Sequence, residues 1–227
     1  MRLLRGFGKL HQAGCNGPGP DAQPDSPVSP VNVLLVYGTS EGQTRKIARF
    51  VSSRLLQSGQ KVLTADARES AFIPEPRGFD AVVLAASLHA GHYQRPIIDF
   101  VKRNRSAISG KTNAFLSVSL TAAGSAPRDA ADLARCVADF VRETGWTPER
   151  IHHVAGALRY STYGLFTRWA MKRIAARRGG PTDTRRDHEL TDWDDLAKFI
   201  DAFIGTPSAT VGAHAQACRS RAPLSGP

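Results

Sequence analysis

The stretch that most constrains the fold is residues 31–50, VNVLLVYGTSEGQTRKIARF. Val33, Leu34, Leu35 and Val36 form an unbroken apolar run, the pattern of a strand covered on both faces. Tyr37 and Gly38 close that run. From Thr44 onward Ile47, Ala48, Val51 and Leu55 recur at spacings of three and four, which is the period of a helix. A hydroxyl-rich turn, Thr39-Ser40-Glu41-Gly42-Gln43-Thr44, therefore joins a buried strand directly to a first helical turn. In an open α/β sheet such a turn lies at the carboxyl ends of the strands, where ligands bind. The unsatisfied N–H groups and positive dipole end of the helix favour a phosphate there. Thr39, Ser40 and Thr44 add hydroxyl donors, and Gly42 lets the backbone approach a ligand closely. No lysine follows the glycine at the spacing of a GxxxxGKS/T loop, and GxGxxG is absent, so neither common nucleotide fingerprint applies.

The rest of the chain repeats this alternation. Lys61–Asp66 reads as a second strand, residues 80–86 (DAVVLAA) as a third buried strand, and Ser87 to Tyr93 (SLHAGHY) as the loop at its end. Pro96 opens a helix carrying Ile97, Ile98 and Val101. Residues 113–118 form strand four, with a loop from Ser119. Leu133, Val137, Phe140 and Val141 mark a helix stopped at Gly145, and residues 152–157 supply strand five. Trp193, Leu196, Ala197, Ile200 and Ile204 form a last helix, with Thr191 and Asp194 spaced as a capping box. Five strands alternating with helices predict a flavodoxin-like α/β fold, a doubly wound parallel sheet of order 2-1-3-4-5.

The predicted domain spans residues 31–205. Residues 1–30 and 206–227 read as disordered tails, rich in small residues and proline or glycine. Cys15, Cys136 and Cys218 are widely spaced and form no CxxC, which argues against a disulfide framework or a zinc site. No run approaches the length of a membrane span. The formal charge of +10 points to an anionic partner: a polyanion, an anionic lipid surface or a carboxylate-bearing substrate. No helix-turn-helix pattern is present, and the basic residues carry no signal specific to nucleic acid.

Residues 158–190 stand out because a minimal fold of this kind does not need them. They hold eight basic residues against three acids, interleaved with Tyr160, Tyr163, Phe166 and Trp169. Residues 162–178 have a helical pattern with poorly segregated charge, unlike a helix lying flat on a membrane. Mixed aromatic and guanidinium groups suit a cleft for a flat, anionic, apolar substrate, because Arg binds carboxylates bidentately and stacks on rings. A solvated basic helix packing three aromatics on the core is the alternative.

The turn resembles the S/T-x-T-G-x-T phosphate loop of flavodoxins, with Glu41 as a departure whose side chain is expected in solvent. Together, YGTSEGQTRKIA, AASLHAGHYQ, SVSL, GALRY and GGPTDTRRDHELTDW resemble the bacterial flavodoxin-like, quinone-dependent protoporphyrinogen oxidase family. The likeness runs from about Val31 to Ile204. It implies FMN as cofactor, oxidation of protoporphyrinogen IX to protoporphyrin IX, and electron transfer to menaquinone or ubiquinone. It also implies peripheral attachment to an anionic membrane surface at the cytoplasmic face.

Carried onto this chain, the resemblance assigns Thr39, Ser40, Glu41, Gly42, Gln43 and Thr44 to the FMN phosphate. It places Ser87, Leu88, His89, Ala90, Gly91, His92, Tyr93, Ser119, Leu120 and Thr121 around the isoalloxazine ring, with Tyr93 as the stacking aromatic. Residues 119–128 contain no aromatic, which leaves one flavin face open to a large planar substrate. His89 and His92 are the expected proton acceptors; the alternative is that they only shape the loop. Arg159, Tyr160, Arg168 and Arg173 are expected to hold the substrate, and Lys172, Arg177 and Arg178 to serve it or anionic lipid. An FMN-dependent quinone reductase or an electron carrier is the other reading. The absence of a dinucleotide motif and of an acidic partner surface weighs against both.

Overall fold

A computed structural model describes residues 29–158 and 187–205. Five parallel strands form the central sheet: β1 (Asn32–Gly38), β2 (Lys61–Asp66), β3 (Ala81–His89), β5 (Thr112–Ser119) and β6 (Arg150–Ala155). Their order is β2-β1-β3-β5-β6, which is 2-1-3-4-5 when the parallel strands alone are counted. A short antiparallel strand, β4 (His92–Tyr93), folds back on β3. A separate two-stranded ladder pairs β7 (Ala157–Leu158) with β8 (His188–Glu189). The helices are α1 (Gln43–Gln57), α2 (Arg95–Ser109), α3 (Pro127–Thr144) and α4 (Trp193–Ile204).

The unbroken apolar run in β1 follows from its place in the sheet. It pairs with β2 along one edge and β3 along the other, and helices pack on both of its faces. Leu34 and Val36 face the core shared with α2 and α3, while Val33 and Leu35 face the core shared with α1 and α4. All four are fully buried, each worth roughly 1.5–3 kcal/mol of transfer free energy. β5 divides its residues the same way: Phe115 enters the first core, and Ala114, Leu116 and Val118 enter the second. Phe115 stacks on Phe140 of α3 at 4.7 Å, and the fully buried Trp146 meets both edge-on.

Helix ends follow local chemistry. Pro96 and Pro127 sit in first turns, where no N–H is required. Gly145 takes the left-handed conformation that ends α3 and returns its N–H to the Val141 carbonyl at 2.7 Å. On the far side, Arg54 of α1 and Asp201 of α4 form a two-pronged ion pair, and Phe50 packs on Trp193 at 4.8 Å.

Three sequence expectations change. Ser87 to Tyr93 is a hairpin and not a loop: β3 continues to His89, and Ala90 (φ 48°) and Gly91 (φ 84°) form a two-residue turn into β4. Both turn residues have positive φ, which matches the twist of the flanking strands. The cap of α4 lies one position later than the proposed pair, because the Asp192 side chain accepts from the Asp195 N–H at 2.9 Å. Strand five is residues 150–155; Gly156 breaks it, and Ala157 leaves to pair with β8. Residues 1–28, the expected helix within 158–190 and the C-terminal stretch from 206 lie outside the described residues. Among the described residues no helix is long and apolar enough to cross a membrane.

Candidate functional site

Because β1, β3, β5 and β6 are parallel, their carboxyl ends share one edge of the sheet, and a cleft opens there. Thr39, Glu41, Gln43 and Thr44 line it from the turn after β1, Ser87, Leu88 and His89 from the end of β3, and Val118, Ser119 and Leu120 from the end of β5. Gly156 and Ala157 close the fourth side. The cleft is shallow and open: about 480 Å³ of empty space lies between these residues, part of it open to solvent.

The turn after β1 holds its shape through Thr39, whose buried Oγ1 accepts the Gly42 N–H at 2.9 Å. Gly42 then adopts φ 89°, a left-handed conformation that suits glycine. It is the N-cap residue of α1 but has no side chain to cap with, so the first N–H groups of α1 have no side-chain cap, and no acidic residue lies in the first turn. Thr44 is 1% exposed, and its Oγ1 has no partner among the described residues. A buried hydroxyl left unsatisfied costs about 1–3 kcal/mol unless a partner beyond the described residues, such as a ligand, uses it. Uncapped helix N–H groups beside an orphaned hydroxyl form a donor set that fits a phosphate.

Gln43 does not point its amide into this donor set. Its Nε2 donates to Glu189 Oε1 at 2.8 Å and to Thr191 Oγ1 at 3.0 Å. Lys46 donates to both Glu189 oxygens at 2.7 and 2.8 Å and lies over the Trp193 ring. Thr191 donates to the Ala155 carbonyl at 2.7 Å, so its hydroxyl ties α1 to the end of β6 and not to an α4 cap. Glu41 departs from its expected place in solvent: it is half-buried and borders the cleft.

The ring-side candidates divide. Ser87, Leu88, His89, Ser119 and Leu120 line the cleft. Ala90 and Gly91 are exposed turn residues, and Thr121 begins the short 3-10 turn that Ser119 shapes by accepting the Ala122 N–H at 3.1 Å. His89 and His92 face each other across the hairpin, but only His89 reaches the cleft.

Tyr93 is not a stacking residue. Its ring is 6% exposed and packs edge-on against Phe115 and Phe140 at 5.1 Å, and its hydroxyl pairs with Ser117 Oγ at 2.8 Å. Burial pushes its phenol up to about 12, partly opposed by the Ser117 hydrogen bond. The alternation of β4 explains this: His92 faces solvent, so Tyr93 faces the core. No aromatic side chain lines the cleft among the described residues. Nor does any group of three His, Cys, Asp or Glu there suit a metal.

Arg159, Tyr160, Arg168 and Arg173 lie outside the described residues. The described ends of that segment do reach the site: Ala157 lines the cleft, and Leu158 pairs with His188 in the β7–β8 ladder. Residue-by-residue reading missed Gln94, Gly156, Ala157 and Glu189. Gln94 donates its Nε2 to Ser40 Oγ at 3.1 Å and also to Ser87 Oγ. No periodicity marks these positions; the breaks at Pro96 and Gly156 were the only local signals.

Comparison with known proteins places this architecture. Residues 34–185 match the flavodoxin domain family. Over 173 residues the chain is 35% identical to a protein of Escherichia coli strain K12 named protoporphyrinogen IX dehydrogenase (quinone), covering 74% of this chain and 92% of that one. A Leishmania major protein of the same name is 28% identical over 188 residues, covering 78% of this chain and 76% of that one. Among solved structures, oxidised flavodoxin 1 from Bacillus cereus is 15% identical with a TM-score of 0.45, covering 76% of this chain and 97% of that one.

Proposed function

The chain belongs to the flavodoxin-domain family of protoporphyrinogen IX dehydrogenases, flavodoxin-like oxidoreductases, and from that premise we propose that it oxidises protoporphyrinogen IX to protoporphyrin IX with FMN as cofactor and a membrane quinone as electron acceptor. The observation that carries the cofactor is the donor set after β1, uncapped helix N–H groups beside the orphaned Thr44 hydroxyl. When bound, FMN supplies the redox chemistry, accepting two electrons at a time.

The chain's own residues do the rest. The backbone of Thr39 to Thr44 holds the phosphate, with the helix dipole in place of a cation. Ser87, Leu88, Ser119 and Leu120 border the ring, and no aromatic among the described residues lines the cleft, which leaves that side open for a broad tetrapyrrole to lie over it. Each oxidation also releases a proton from substrate, and His89 is the imidazole at the cleft that accepts it.

Arg159, Tyr160, Arg168 and Arg173 are assigned to the substrate propionates because Arg pairs bidentately with carboxylates and the segment starts beside Ala157. The remaining positive charge suits the anionic headgroups of the membrane that holds the quinone.

The test is anaerobic mixing of FMN-loaded protein with protoporphyrinogen IX and a soluble quinone, following porphyrin fluorescence. Fluorescence should rise only when both FMN and quinone are present. An FMN-loaded protein that forms no porphyrin overturns the reading.

A further inference from the structure

Gln94 stands at the start of α2, yet it does not cap that helix. Its backbone carbonyl accepts from the Ile97 and Ile98 N–H groups, while its side chain makes no cap bond. The amide crosses instead to two hydroxyls on different elements. Nε2 donates to Ser40, in the turn after β1, and to Ser87, at the end of β3. Ser87 lines the cleft, and Ser40 belongs to the turn that carries the phosphate donor set.

The room for this amide comes from Gly38. A Cβ on Gly38 would stand 3.1 Å from Gln94 Oε1 and 2.6 Å from Ile97 Cγ1. Oε1 is buried beside it with no partner among the described residues. Rotating the amide by half a turn would bury the NH₂ there and leave two donors unsatisfied in place of one acceptor. The observed orientation is the less costly of the two.

That orientation has a chemical consequence for the two serines. A hydroxyl has one proton and two lone pairs. When its oxygen accepts from Gln94, its proton is left to be donated elsewhere. Ser40 and Ser87 are thereby set as donors. Donors are what a phosphate and the carbonyl edge of a flavin require.

We propose that Gln94 is a positioning residue for the cofactor: by donating to Ser40 and Ser87 together, it fixes both hydroxyls as donors and ties the phosphate turn to the β3 end. This rests on the reading of the cleft as an FMN site.

The test compares wild type, Gln94→Met and Gln94→Glu as apoproteins, titrated with FMN and with riboflavin by flavin fluorescence, and melted without ligand. Methionine keeps the length but cannot donate, so the hydroxyls turn freely. Glutamate keeps the shape but accepts from both hydroxyls and draws their protons away. FMN affinity should fall in the order wild type, Met, Glu, with Glu at least about tenfold weaker at pH 8, the loss expected for one charge-assisted hydrogen bond. Riboflavin affinity should fall less, because the Ser40 share belongs to the phosphate. The Glu deficit relative to wild type should shrink toward pH 5, as the new carboxyl takes up a proton and can donate again. Apo Gln94→Met should melt no lower than wild type, since it also removes the orphaned Oε1.

Equal FMN binding by all three proteins overturns the assignment, and so does an affinity loss that merely follows loss of apoprotein stability. If Gln94→Glu does not fold, Gln94→Met alone decides on the same criteria. Wild type that binds neither flavin overturns the FMN reading and this proposal with it; wild type that binds while the variants match it overturns Gln94 alone.

Discussion

Replacing Thr44 by valine should move ligand-free stability and cofactor affinity in opposite directions. The side chain is 1% exposed, and its hydroxyl has no partner among the described residues. Valine keeps the shape and the β-branch. In the apoprotein it therefore removes an unsatisfied buried polar atom without opening a cavity, a gain of up to about 1–3 kcal/mol. For a chain of this size each kcal/mol corresponds to roughly 2–4 °C in melting temperature. With FMN present, the same change removes a donor to a charged phosphate, worth about 1.5–3 kcal/mol. The dissociation constant should then rise by roughly one to two orders of magnitude. Thermal melting of stripped protein and fluorescence titration with FMN read the two effects separately. If apo Thr44→Val melts well below wild type, Thr44 is a structural residue with a partner in the fold. If FMN binding is unchanged, Thr44 does not touch the phosphate.

Two further perturbations test the surrounding structure. Tyr93→Ala should cost about 3 kcal/mol or more in urea unfolding, since it removes an aromatic from a packed core, while the FMN dissociation constant stays at the wild-type value; weaker FMN binding at unchanged stability would restore Tyr93 to the ring. His152, stacked on Phe199 at 4.5 Å, is held below its ordinary pKa by burial, with Asp195 and Asp192 opposing the shift. The folded state thus resists protonation that the unfolded chain accepts below about 6.5, so stability should fall on acidification through that region. In His152→Phe the part due to His152 should vanish and leave that of His153, which is shifted the same way; an unaltered pH profile of melting temperature would refute this.

The fold was legible because its signals are local and redundant. A strand covered on both faces must be apolar at every position, and Val33 to Val36 could be little else once a helical period followed directly. The strand–turn–helix at residues 39–44 was legible for the same reason, as its hydroxyls and glycine are contiguous in sequence. Tyr93 was misassigned because the side a residue faces on a two-residue strand depends on where the turn falls, and Ala90-Gly91 is a weaker turn signal than Asn-Gly. Gln94 escaped notice because its partners, Ser40 and Ser87, lie 54 and 7 residues away and meet only in the folded sheet. Glu189 escaped for the same cause, with Gln43 146 residues distant.

The β7–β8 ladder has a consequence for how such a protein can vary. It sets Leu158 directly opposite His188, beside a sheet whose strand order is already complete at β6. Whatever chain runs between those two residues begins and ends at adjacent points, so the ladder itself sets no requirement on its length. Each doubling of a flexible loop costs only about 0.6 kcal/mol in closure entropy. The ladder thus allows the stretch after residue 158 to change in length without moving the strand ends that hold it. Leu158 and His188 are therefore the paired points at which the stretch could be exchanged between relatives with the five-stranded sheet and the turn after β1 left as they are.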